Sequence, residues 1–167
     1  MTVYLEMNAH AIIDLYLIFQ FREIVMFQHI LIPIDGSSLS HKALVGGIAM
    51  AKALNAKITI YTAVVEFLPM TEFAVETPQS VMEELEKEAN KHLKTAQKEA
   101  AAAGISVNVI KTTEFSPYQG IINTAKAEKC DLILMASHGR RGLTGFLLGS
   151  ETQKVLTHSE IPVLVYR

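Results

Sequence analysis

The 167-residue chain has no tryptophan and a single cysteine, Cys130. One thiol excludes an internal disulfide framework and any cysteine-based metal centre. It stands just ahead of an apolar run, the setting of a buried structural thiol rather than a nucleophile, and such cysteine usage fits a reducing, cytoplasmic compartment. Charge imbalance is equally scarce. Fifteen basic residues face 17 acidic ones, a formal net charge of −2, which leaves no overall electrostatic footprint for nucleic acid. Long apolar runs are missing too. Residues 11–19 are apolar but too short to span a bilayer, and Asp14 interrupts them, so no stable membrane insertion is expected. A secretory signal would open on positive charge, yet Glu6 is the only charged side chain before Asp14. Two nucleotide-binding motifs are also absent. No Gly-x4-Gly-Lys-Ser/Thr occurs, and the first strand is followed by Asp35-Gly36-Ser37-Ser38-Leu39-Ser40, with one glycine where a nicotinamide-dependent oxidoreductase needs three.

What is present is apolar surface and regular alternation. Half of the residues are hydrophobic, dominated by Ala, Ile, Leu and Val, the composition of a parallel sheet covered by helices. Residues 1–25 read as an N-terminal extension, either an upstream start or a loosely attached amphipathic helix. From Met26 the chain reads as one domain to residue 167, with no linker or internal repeat. Residues 28–34 form a central strand, apolar on both faces. A helix follows through Ala43, Leu44, Ile48, Ala51 and Leu54, with Ser38 or Ser40 as cap and Asn55 as stop. Residues 57–65 form a second strand, and residues 66–77 a longer loop. Pro78 opens the longest helix. Its stripe runs Val81, Leu85, Ala89, Leu93, Ala96, Ala100 and Ala103, Glu83 stands four residues before Lys87, and Gly104 ends it. Residues 105–111 alternate as a strand with one polar face. Ser116-Pro117 starts a short helix ending near Glu128. Residues 131–136 are a fourth strand, residues 150–158 a helix, and residues 162–166 a last strand.

The order is βαβαβαβαβ, which argues for an α/β, doubly wound, five-stranded parallel sheet, Rossmann-like, with helices on both faces. With strand order 3-2-1-4-5, ligands sit beyond the carboxyl ends of the strands, in the crevice between strands one and four. Two polar loops meet there: Asp35-Gly36-Ser37-Ser38, and the stretch from Ala136-Ser137-His138-Gly139-Arg140-Arg141-Gly142 to Gly149-Ser150-Glu151. The second holds four glycines between a strand and a helix start, where Ser150 can cap and Glu151 sits in the first turn. Glycines let a backbone bring N–H groups close to an anion, and a helix start adds positive partial charge. The expectation is a phosphate cradle. His138 reads as a structural loop residue, and His41 and His158 read as structural.

From Met26 to Arg167 the chain resembles the universal stress protein family. The resemblance rests on Ile32-Pro33-Ile34-Asp35-Gly36-Ser37, Asp131-Leu132-Ile133-Leu134-Met135-Ala136, Ser137-His138-Gly139-Arg140-Arg141-Gly142-Leu143, Leu147-Leu148-Gly149-Ser150-Glu151 and Ile161-Pro162-Val163-Leu164-Val165. Nucleotide-binding members of that family carry Gly-x2-Gly-x9-Gly-Ser/Thr. This register puts Ala136 at the first glycine, Gly139 at the second, Gly149 at the third and Ser150 at the hydroxyl. Ala136 is a departure. A methyl there is tolerated if the position needs only close backbone approach, and costly if it needs φ > 0.

The resemblance implies a stress-response protein binding ATP, with Mg²⁺ as a possible companion of the phosphates. Asp35 would lie near adenine and ribose, with Pro33 and Ile34 flanking the base and Ala63 or Val64 from strand two as a wall. Gly139 and Gly142 would approach phosphates or ribose. Gly149, Ser150 and the Glu151 N–H would hold phosphate, with Arg140 and Arg141 as screening charges. A homodimer through the C-terminal strand is implied as well. Asp35 is the only carboxylate expected in the crevice, so no catalytic residue is assigned, and slow hydrolysis or self-phosphorylation stays open. The alternative is a nucleotide-free interaction protein acting through its dimer surfaces.

Overall fold

A computed structural model describes residues 27–66, 77–139 and 148–167. Nine elements alternate: β1 (His29–Pro33), α1 (Ser38–Leu54), β2 (Lys57–Val65), α2 (Gln79–Ala102), β3 (Val107–Glu114), α3 (Pro117–Ala127), β4 (Leu132–Ala136), α4 (Ser150–His158) and β5 (Val163–Tyr166). The five strands form one sheet in the order β3-β2-β1-β4-β5, and every pairing is parallel. The fold class and strand order are those expected.

Side chains alternate across a strand, so β1 and β4 feed two cores at once. Ile30, Ile32, Leu132 and Leu134 face a cluster with Ala43, Leu44, Ile48 and Ala51 of α1 and Leu93, Ala96 and Ala100 of α2. Leu31, Ile133 and Met135 face the other way, onto Ile121, Ile122 and Ala125 of α3 and Val155 of α4. Burying each such aliphatic side chain contributes about 1.5–3 kcal/mol. That is why β1 and β4, apolar on both faces, occupy the middle of the sheet.

The ends of the elements differ from expectation in instructive ways. Ser37 caps α1, its hydroxyl accepting from Ser40 N–H at 3.1 Å. Ser38 is already helical, and the Ser40 hydroxyl donates to the Ser37 carbonyl at 3.0 Å. Asn55 does end α1, in the left-handed conformation at φ 52°. Gly104, at φ +79°, follows the end of α2. Ser116 makes no side-chain cap for α3. Instead the Tyr118 N–H donates to Glu151 Oε2 of α4 at 2.9 Å, so a carboxylate from a neighbouring helix takes the role. Glu83 accepts from Gln79 at 3.2 Å, while Lys87 lies 3.9 Å from Glu84. The expected Glu83–Lys87 pair is replaced by these. β3 runs three residues further than residue 111, because its whole length pairs with β2 out to Val65↔Glu114.

Cys130 is a buried free thiol. Burial, followed by the nearby carboxylates of Glu128 and Asp131, pushes its pKa up to about 12, the opposite of an activated nucleophile. No helix among the described residues is long and apolar enough to cross a membrane.

Candidate functional site

The C-terminal ends of β1 and β4 are adjacent, so the two loops leaving them share one crevice. The β1 loop is braced from within. Ile34 N–H donates to the Tyr61 carbonyl at 2.8 Å, and the Thr62 hydroxyl donates to the Ile34 carbonyl at 2.9 Å. Asp35 Oδ1 accepts from Ser37 N–H at 2.9 Å, an Asx turn that orients the carboxylate. Gly36 completes the turn at φ +81°, a conformation L side chains avoid.

The β4 end is tied to the start of α4. Ser137 N–H donates to the Tyr166 carbonyl at 3.1 Å and extends the ladder. The Thr152 hydroxyl, buried in the first turn of α4, donates to the Ala136 carbonyl at 3.0 Å. Gly149 N–H donates to the Ser137 carbonyl at 2.9 Å. His138 is buried, its Nδ1 3.1 Å from the Ser137 hydroxyl, a loop-bracing position.

Between the loops lies a cavity of about 580 Å³, lined by Pro33, Ile34, Asp35, Ala63, Val64, Ala136, Gly139, Gly149, Ser150 and Glu151 among others. These are all ten of the candidate residues that fall within the described structure. Arg140 and Gly142 lie outside the described residues. Both β2 candidates reach the cavity, with Val64 fully buried and Ala63 half-buried. Asp35 and Gly139 face each other so closely that a Cβ on Gly139 would lie 2.7 Å from Asp35 Oδ2.

Ala136 has no positive φ. It is the last residue of β4 and pairs with Tyr166, so its methyl carries no backbone strain. Gly149, by contrast, is expected from the resemblance to hold phosphate, with Ser150 as the helix cap. It is the N-cap of α4 at φ −62°, and Ser150 is the first helical residue. A Cβ at 149 would lie 3.2 Å from His138 Cα and 3.4 Å from the Ser137 carbonyl oxygen. The absent side chain thus lets α4 pack closely on the β4 exit. The Gly149 N–H is committed to Ser137, and the donors left at the helix mouth are the N–H groups of Ser150, Glu151 and Thr152. They precede the first intrahelical bond, Gln153 to Gly149. The Glu151 carboxylate is engaged by Tyr118 N–H and by Lys154 at 2.8 Å.

The sequence reading missed one wall. Leu85, Glu88, Ala89 and His92 of α2 line the cavity, with Phe115 beyond β3. Periodicity places Leu85 and Ala89 in a continuous core stripe. Only its C-terminal half, from Ala89 on, is buried, while Val81 is 45 % exposed. The N-terminal half overhangs the sheet, which periodicity by itself does not reveal. His41 and His158 also have partners: His41 Nε2 lies 2.9 Å from Glu99 Oε2, and His158 Nδ1 lies 2.8 Å from the Lys154 carbonyl.

A sequence model of the universal stress protein family matches residues 26–167. The chain belongs to that family. Universal stress protein YxiE of Bacillus subtilis is 34% identical over 150 residues, covering 85% of this chain and 100% of its own. The structure of universal stress protein UspA from Lactobacillus plantarum superposes with a TM-score of 0.72 at 22% identity, covering 84% of this chain and 97% of that one. A universal stress protein solved in complex with cAMP superposes with a TM-score of 0.64 at 26% identity, covering 84% and 97%.

Proposed function

We propose that this universal stress protein binds an adenine nucleotide, ATP foremost, between β1 and β4, and signals by occupancy of that site in the cytoplasm. The observation that carries the reading is the apposition of Asp35 and Gly139 across a cavity large enough for a nucleotide. The cAMP complex of a 26% identical relative supports the choice of adenine. In this reading Pro33, Ile34, Ala63 and Val64 enclose the base, and Asp35 accepts from ribose hydroxyls or the exocyclic amine. The phosphates meet the N–H groups of Ser150, Glu151 and Thr152 at the positive end of α4. Arg140 and Gly142 remain proposed contributors. Among the described residues no group of three or more His, Cys, Asp or Glu is arranged to hold a metal, so Mg²⁺ would be carried by the ligand's own phosphates. Residues 1–25 are proposed to be dispensable for folding and for this site.

Native mass spectrometry and ATP titration calorimetry test the proposal. The expected results are a nucleotide adduct and saturable heat. No adduct, with no heat at millimolar ATP, would overturn it.

A second reading has its own observation. β5 is an edge strand with Tyr166 36 % exposed at its end, a row of backbone groups able to pair with a second copy. A nucleotide-free dimer acting through that edge is what the failed titration would favour, and sedimentation would then show the dimer.

A further inference from the structure

Two helix starts border the cavity. Ser150 and Glu151 belong to the first turn of α4, while Phe115 and Pro117 bring in the start of α3. In the first turn of α3, Pro117 has no N–H, and those of Gln119 and Gly120 donate to the Ser116 carbonyl at 3.0 and 3.4 Å. Tyr118 N–H is the donor left over, and the Ser116 side chain does not cap it. Glu151 Oε2 accepts it at 2.9 Å from 33 residues away in the sequence. Glu151 Oε1 accepts from Lys154 at 2.8 Å. Lys154 Nζ lies 5.5 Å from the centre of the Tyr118 ring, and the His158 ring lies 5.2 Å from the same ring. Residues 151, 154 and 158 share one stripe of α4. That stripe holds Tyr118 by its backbone and by its ring.

We infer that Glu151 is a positioning residue of the nucleotide site, its carboxylate fixing the start of α3, with Phe115 and Pro117, against the helix mouth that takes the phosphates. The inference rests on the nucleotide reading above. In that reading the Glu151 backbone donates to phosphate, while its side chain sets where the adjoining wall stands. Ile121 and Ile122 anchor the body of α3 in the core, but they lie beyond its first turn. A carboxylate on a helix-start N–H is a charge-assisted, directional bond that the positive end of α3 favours. Binding groups tolerate only about 0.5 Å of misplacement, so the tether matters to the ligand as well as to the fold.

The experiment uses the full chain with Glu151→Ala and Glu151→Gln. ATP affinity is read by calorimetry, Tyr118 amide hydrogen exchange by NMR without ligand, and stability by urea unfolding. Glu151→Ala should speed Tyr118 exchange about tenfold and weaken ATP about tenfold, the loss of one charge-assisted hydrogen bond. Glu151→Gln keeps an acceptor oxygen for Tyr118 N–H. It should restore slow exchange and bring ATP within about threefold of the parent. Glu151→Asp, one methylene short of Tyr118, should show the alanine pair of losses and serves where the alanine chain does not fold. A less stable alanine chain that binds ATP like the parent overturns the inference, since Glu151 would then brace the fold alone. Weakened binding with Tyr118 exchange unchanged overturns it too, because the effect would not pass through α3. Glutamine as weak as alanine makes charge rather than position the cause and also overturns it. These three outcomes spare the nucleotide reading. A parent chain that binds no ATP overturns both.

Discussion

Asp35 and Gly139 approach one another across the crevice until a single added methyl group at 139 would sit 2.7 Å from the Asp35 carboxylate. The contact joins two strand ends separated by more than a hundred residues in sequence. It makes the bare backbone of Gly139 part of the wall that positions Asp35.

Gly139→Ala therefore separates binding from folding. Gly139 has no positive φ, so alanine is conformationally permitted, and the atom it crowds is the far end of a side chain. Asp35 should swing aside, with affinity for ATP falling about tenfold, roughly the worth of one charge-assisted hydrogen bond. Stability measured by urea should drop by no more than about 1 kcal/mol, the value of the Asp35–Ser37 turn bond.

Gly149 should behave in the opposite way. The atoms that meet its added Cβ are main-chain atoms of Ser137 and His138, which cannot move without shifting the β4 exit. Gly149→Ala should cost about 1–3 kcal/mol by overpacking, with a further contribution because alanine is a poorer N-cap than glycine. Gly149→Val should cost more. Urea unfolding reads this directly, and a valine variant with parental stability would contradict the packing role.

Ala136→Gly restores the family's glycine and should bring no gain in nucleotide affinity. Ala136 sits in extended strand backbone, so glycine relieves no strain. It should lower stability by about 0.5–1 kcal/mol through the entropy of the unfolded chain. Calorimetry with ATP should give affinities within about twofold of the parent.

Alkaline pH should unfold the protein through two buried groups. Burial raises the Cys130 thiol from 9.0 to about 12 and, chiefly for the same reason, the Tyr61 phenol from 10.0 to about 12. The folded chain keeps these protons where the unfolded chain releases them. Their contribution is therefore fully present below pH 9 and is lost as pH rises towards 12. Cys130→Ala should flatten the fall between pH 9 and 10, where Tyr61 contributes less than Cys130. Chemical denaturation across pH 7–10.5 measures the slope.

Element types and order were legible in the sequence because the two periodicities are local. Short runs rich in β-branched residues, such as Ile30-Leu31-Ile32, read as central strands, and the long stripe through Ala89, Leu93 and Ala96 reads as a helix face. Asp35 and the glycine stretch were legible as a pair because a doubly wound sheet brings the first and fourth strand ends together, and the motif resemblance marked the same loops. The cap of α3 was not legible, since Glu151 reaches Tyr118 only through helix packing. His92 was not legible either, because nothing in its neighbourhood on α2 announces that its ring lies on Gly36.

The sequence by itself determined an alternating α/β fold and the two loops that face the crevice, while its motif residues carried the family resemblance. It did so because burial of apolar side chains follows short-range periodicity and because connection handedness leaves few topologies. Only the tertiary structure decided why three glycines around the crevice are glycines. Gly36 is held by φ, Gly139 by a carboxylate across the crevice and Gly149 by the backbone beneath it. Steric contact between residues far apart in the chain is a property of the folded surface, and no spacing rule encodes it.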